Sequence, residues 1–202
     1  MLSFTFTGVS YYTNIISKNS NRQEYIEGYC DTGCTRSSIG LYSLSKLLGI
    51  PSKDLLEYFE KRINKGYVEL RTAIANGSTM RTIPVRLYNI QLDSLHFEYL
   101  NCLVNIDDIL VQTNGYRELN ESQLYKVQPF MLIGLDILRA FDKVILDKNK
   151  IECRDFNENV YNSYWANTEG IITLYMDQIC NEIKTDKYDE FKAFVNNNLS
   201  NK

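Results

Sequence analysis

The segment Cys30-Asp31-Thr32-Gly33-Cys34-Thr35 holds the carboxylate best placed for chemistry in this chain. Asp31 follows the run Tyr25-Ile26-Glu27-Gly28-Tyr29-Cys30 and precedes a glycine turn. A carboxylate held at a strand end can be desolvated, and its proton affinity can be set by a neighbour. Such a group serves as a general acid or a general base. Doing both in one reaction calls for a pair of carboxylates, and the chain has one Asp-Thr-Gly. Alone, the tripeptide is better read as an ordinary polar turn, and its surroundings are what raise it above that. Cys34 and His96, the single histidine, would suit thiol catalysis if they met, but no spacing puts them together. Asp107-Asp108 reads as a solvated turn. The cysteines at 30, 34, 102, 153 and 180 form no Cys-x-x-Cys pair, so neither a metal nor another cofactor is expected, and reduced thiols point to a cytoplasmic setting.

The elements that must position Asp31 are mostly strands. Residues 1–17, alternating over Met1–Thr7, and Gln23–Cys30 read as strands separated by a polar turn. Ser38-Ile39-Gly40-Leu41 continues as a short extended piece. Ser43–Leu48 is a short helix with Leu44, Leu47 and Leu48 on one face, stopped by Gly49 and Pro51. Ser52 is the expected N-cap of a second helix over Lys53–Arg62. Tyr67–Ala75 and Thr79–Tyr88 are strands joined across Asn76-Gly77, a dipeptide suited to a type I′ turn. Pro84 cannot donate to a ladder, so the return strand is an edge or a projecting ribbon there. Leu95–Asn105 is a further strand with His96 facing outward. The polar stretch Asp107–Gln128 reads as a lid or an insertion. Phe130–Ile133 is a buried strand stopped by Gly134, Leu135–Phe141 a short helix, and Lys143–Asp147 with Lys150–Arg154 a hairpin. Beyond Phe156, Ile171–Ile183 and Lys187–Leu199 have the spacing of two amphipathic helices.

The bulk properties exclude several classes. With 202 residues, 44% of them hydrophobic, the chain can bury a full core. A net charge of −3 without a basic block argues against binding nucleic acid or an anionic membrane surface. No apolar run reaches the length of a membrane span, and the alternating N-terminus does not read as a signal peptide.

With those residues in view, the chain resembles the retropepsin-like aspartic proteases, in their cellular and retrotransposon-like branch. Asp31-Thr32-Gly33 is similar to the catalytic Asp-Thr/Ser-Gly. Thr72-Ala73-Ile74-Ala75-Asn76-Gly77-Ser78 is similar to the Ala-Asn-Gly stretch at the flap hairpin. Leu132-Ile133-Gly134-Leu135-Asp136-Ile137-Leu138 is similar to the apolar segment that packs beside the catalytic loop. The chain departs from the pattern at Cys34, where Ala or Ser is usual, in its plain flap, in the long 107–128 connection and in the helical tail.

The resemblance implies a mainly β, single-lobe acid-protease barrel over residues 1–155 with short helices, followed by a C-terminal helical extension over 156–202. It implies an aspartic endopeptidase. Asp31, Thr32 and Gly33 would form the catalytic loop, and Ala75, Asn76, Gly77 and Ser78 would contact substrate from the flap. Gly134 and Asp136 would support the site. Because the chain supplies one Asp-Thr-Gly, the expected assembly is a homodimer acting on a peptide or protein substrate. Two other readings stand beside it: a domain of the same fold that binds peptide or mediates assembly without cutting, and a protease restrained by its C-terminal helices.

Overall fold

The structure is a computed structural model, and it describes residues 1–8, 10–18, 25–66, 69–73, 79–107 and 129–199. The expected flap residues Ala75, Asn76, Gly77 and Ser78, and nearly all of the 107–128 connection, lie outside the described residues.

Residues 1–17 form two strands, β1 (Leu2–Phe6) and β2 (Tyr11–Ser17), followed by β3 (Tyr25–Cys30) and β4 (Ser38–Gly40). Helices α1 (Leu41–Leu48) and α2 (Ser52–Asn64) come next, then β5 (Leu70–Ala73), β6 (Thr79–Leu92), β7 (Leu95–Asn105) and β8 (Phe130–Ile133). A one-turn helix α3 (Leu135–Leu138) leads into the hairpin β9 (Phe141–Asp147) and β10 (Lys150–Phe156). The chain closes with α4 (Glu158–Ser163), β11 (Ile172–Leu174) and α5 (Met176–Leu199). The expectation of a mainly β fold with short helices holds.

Strands β6-β7-β4-β8-β3-β2 are successive neighbours, and a further β2–β6 pairing joins the two ends into a closed six-stranded barrel. Closure depends on the length of β6. It pairs with β7 from Thr82 to Leu92, and its far end also pairs with β2 through Ile90, Gln91 and Leu92. Asn89 lies at the bend with φ 57, a left-handed conformation that asparagine tolerates better than most residues. Inside, Ile15, Ile26, Ile39, Ile83, Val85, Leu87, Leu100, Val104, Met131 and Ile133 are almost fully buried. Period-two alternation makes this possible, since it sends every second side chain of a strand to one face.

Pro84 sits in β6 between two outer partners. β5 pairs as far as Thr82, and β11 begins at Val85. The missing N–H falls in that gap, which is how a proline stays in a long strand. β1 joins the barrel edge to β10 and β9, leaving β9 as the last strand on that side.

Three local expectations need correction. Ser52 is the first residue of α2 rather than its N-cap; the cap position is Pro51, and the Ser52 hydroxyl donates to Ser45 Oγ at 2.9 Å. The helix expected over Leu135–Phe141 ends at Leu138, because Phe141 starts β9 opposite Phe156 with their ring centroids 5.1 Å apart. In the tail, Ile172–Leu174 is a strand parallel to β6, and the two expected helices are one, α5. Ile172 and Leu174 fill the β6 edge that β5 leaves open, so tertiary pairing overrides their helical spacing. α5 docks on α2 through buried Ile179 and the ion pairs Arg62–Glu182 (2.9 Å), Lys61–Asp186 (2.8 Å) and Lys187–Asp54 (2.7 Å).

Candidate active site

The position of Asp31 follows from one feature of the topology. β3 and β4 are consecutive in the chain, yet β8 lies between them, parallel to β3 and antiparallel to β4. The connection 31–37 must therefore cross the end of β8. It does so against Gly134, the residue that follows β8.

That crossing is tight. A Cβ on Gly134 would lie 2.7 Å from the Arg36 carbonyl carbon, 2.8 Å from Cys34 O and 2.9 Å from Ser37 N. All three are backbone atoms, so glycine is required here for close approach rather than for its own dihedrals; its φ of −89° is open to any residue. The lack of a side chain lets the two segments bond directly. Asp31 N–H donates to Ile133 O (3.0 Å), Leu135 N–H to Cys34 O (2.8 Å) and Asp136 N–H to Thr35 O (3.2 Å). Gly134 N–H donates to Ser37 Oγ at 3.0 Å.

Asp136 completes the clasp. Its Oδ1 accepts from Ser37 N–H (2.9 Å), the Ser37 hydroxyl (2.7 Å) and Ile137 N–H (3.0 Å), and its Oδ2 accepts from Trp165 Nε1–H (3.1 Å). The residue is fully buried. Burial pushes its carboxyl above the usual carboxylate range, and the donors around it pull the other way.

At the tip of the loop, Gly33 N–H donates to Asp31 Oδ1 at 2.9 Å. Asp31 is half-buried, and Thr32 and Gly33 are exposed. The loop is thus bonded from behind and open in front. Cys34 turns away from this front: its thiol donates to Arg36 O at 2.7 Å, and burial raises its pKa, which disfavours the thiolate. His96 is exposed on β7 with Nε2 2.7 Å from Asn89 Oδ1, so it has a partner other than Cys34. Asp107 accepts from Arg81 N–H at 3.0 Å and from Arg81 Nε at 2.9 Å. Among the described residues, no three His, Cys, Asp or Glu side chains cluster as metal ligands would. No described helix is long and apolar enough to cross a membrane.

Two participants in this arrangement escape sequence reading. Ser37 looks like one small polar residue among several, and only its bonds to both Gly134 and Asp136 mark it out. Trp165 is about 130 residues from the Asp31 loop in sequence; its being the single tryptophan was the only available signal. A cleft of about 850 Å³ lies elsewhere, between β6–β7 and the 156–171 segment, where Arg86, Tyr99, Asn101, Trp165 and Thr168 line it. It includes none of the expected site residues.

No protein-family model matches the chain, and no curated protein matches it. Among solved structures the chain is similar to a retropepsin-like aspartic protease from Rickettsia conorii, with 15% identity, a TM-score of 0.43, and coverage of 75% of this chain and 95% of that one. A likeness of that size carries no function across. What the loop can do follows from its own geometry.

Proposed function

We propose that the protein is an aspartic endopeptidase, active as a homodimer in which each chain contributes Asp31. The observation that carries this reading is the clasped loop. The chain fixes a half-buried carboxylate on a backbone bonded to Ile133, Leu135 and Asp136, adds a bond from Gly134 N–H to the Ser37 hydroxyl, and leaves the front of the loop open. A plain surface turn has no use for that much support. The missing second carboxylate comes from a second copy, and β9 offers a surface for it: Val144, Ile145 and Leu146 are 56%, 45% and 70% exposed on the last strand of the sheet. An apolar strand edge is a template for pairing with another chain.

In this assembly two Asp31 carboxyl groups face each other and share one proton, because two close negative charges are costly. The ionised member takes a proton from a bound water as that water attacks the scissile carbonyl. The protonated member hydrogen-bonds the carbonyl oxygen, and the proton taken from water passes to the leaving nitrogen as the C–N bond breaks. Thr32 ties the two loops together through its hydroxyl, and the flap residues Ala75, Asn76, Gly77 and Ser78 cover the peptide and exclude water.

The test is cleavage of a diverse peptide library across pH by the wild type and by Asp31→Asn. The substitution keeps an oxygen for Gly33 N–H, so the fold should survive. Cleavage should fall by at least about 10²-fold, the scale of lost acid–base catalysis. Equal cleavage by both proteins would dismiss Asp31. Equal inertness under every condition would favour a non-cutting peptide-binding or assembly domain.

A further inference from the structure

The two oxygens of Asp136 are served unequally. Oδ1 has three donors from Ser37 and Ile137, all within or next to the clasp. Oδ2 has, among the described residues, one: Trp165 Nε1–H. Both side chains are buried, Asp136 completely and Trp165 to 4% exposure at the wall of the cleft, so solvent cannot replace that donor while a ring of the same size fills its place. A buried carboxylate oxygen left bare is destabilised far more than an exposed one.

Trp165 is itself held by the loop it serves. The Arg36 guanidinium lies over its ring, 4.9 Å from the centroid, and Arg36 Nη2 donates to Tyr164 O at 3.0 Å. The segment after α4 therefore grips the 31–37 connection twice, once at Arg36 and once through Asp136. That segment has its own anchors in the barrel. Asn157 Oδ1 caps α4 by accepting from Asn159 N–H and Val160 N–H, and the buried Tyr161 hydroxyl accepts from Asn101 N–H on β7 at 2.6 Å.

We propose that Trp165 is a positioning residue for Asp31: its indole N–H fixes Asp136, and Asp136 with Ser37 fixes the connection on which Asp31 sits. The inference rests on the reading of Asp31 as the catalytic carboxylate and adds to it a residue from the tail. The tail then has a role at the site that does not depend on autoinhibition.

The test removes the N–H and little else. Trp165 is replaced by 3-benzothienylalanine, an isostere with sulfur in place of the N–H, and in a second variant by Phe. Amide hydrogen exchange is read at Cys34, Leu135 and Ser37, with the β6–β7 amides as the internal reference. Protection at the three loop amides should fall by about tenfold or more while the reference holds, the scale of a lost hydrogen bond to a charged group. The loss should narrow as pH falls and Asp136 takes up a proton, a trend that a packing defect would not reproduce. Cys34 on the loop, Cys102 on β7 and Tyr161 on α4 also feel Asp136, and burial holds all three neutral through that range, while the Arg36 guanidinium packs on the far partner, Trp165. With a cleaving wild type, kcat should drop by about tenfold with KM nearly unchanged.

Loop protection equal to wild type in the isostere overturns the inference, whether or not the protein cleaves peptides. Loosened amides with unchanged kcat overturn it as well. A wild type as inert as Asp31→Asn would instead sink the assignment of Asp31, and the exchange data would still decide whether Trp165 holds the loop.

Discussion

Replacing Gly134 with alanine probes the crossing at the centre of the site. The added methyl would meet Arg36 C, Cys34 O and Ser37 N at 2.7, 2.8 and 2.9 Å, against a comfortable separation of about 3.5 Å or more. None of the three atoms can rotate away, so the 31–37 connection must retreat by several tenths of an ångström. The bonds Leu135 N–Cys34 O and Gly134 N–Ser37 Oγ, at 2.8 and 3.0 Å, would stretch with it. Overpacking of this kind costs about 1–3 kcal/mol. Lost clasp bonds place Gly134→Ala toward the upper end. Gly28→Ala is the control. Its new methyl would meet Ile15 Cδ1 at 2.9 Å, Thr13 Cγ2 at 3.0 Å and Ile15 Cγ1 at 3.1 Å, all side-chain rather than backbone atoms. Its cost should lie toward the lower end of the same range, about 1 kcal/mol, because side chains yield more readily than backbone. Urea denaturation of the two variants measures the difference, and peptide cleavage measures its effect on Asp31. A misplacement of about 1 Å at a reacting group costs about 10²-fold in rate, so a retreat of about half that should cost Gly134→Ala about tenfold in cleavage even where it remains folded. Equal stability and unchanged cleavage in Gly134→Ala would refute the claim that close backbone approach sets the position of the loop.

Two further outcomes follow from the same structure. Ile145→Lys on the exposed β9 edge should weaken self-association by about tenfold or more, since a charge on an edge strand opposes pairing, while leaving the monomer folded; sedimentation velocity over a concentration series checks it, and unchanged association would exclude β9 as the dimer contact. Asp136→Asn should remove part of the pH dependence of folding. Burial raises the Asp136 pKa above its unfolded value, so the folded wild type binds the proton more readily and loses stability as pH climbs from the ordinary carboxylate range through the folded pKa. The neutral variant has no such loss, so the wild type's advantage over it should shrink with rising pH; a gap that stays constant in urea melts between about pH 4 and 8 would count against this.

Much of this protein is legible along the chain. Alternation shows most clearly in β2 and β3, because each turns one face to the barrel interior and period two is the signature of a half-buried strand, whereas Leu100–Asn105 of β7 is buried on both faces. Gly49, at φ 66, ends α1 for the reason its sequence position suggests: a left-handed residue without a Cβ is cheap there. The Asp-Thr-Gly turn and the apolar segment ending at Gly134 are visible as separate patterns. Other features are not local properties. Ile172 and Leu174 have helical spacing, yet they pair with β6, because the edge vacated by β5 offers them hydrogen bonds and burial that a helix at that point could not. Ser52 gives up its expected cap for Ser45, a partner brought near only by the packing of α1 on α2.

The sequence by itself determined that a carboxylate would stand on a glycine turn at the end of an apolar strand, and that no second such turn exists in the chain. Only the tertiary structure decided what holds that turn. Threading β8 between β3 and β4 brings Gly134 against the Arg36 carbonyl, Asp136 against Ser37 and Trp165 against Asp136, residues separated by about 30 to 100 positions. Hydrogen bonds and steric contacts act over about 3–4 Å of space, whatever the separation along the chain, and the residue types alone carry no record of that meeting.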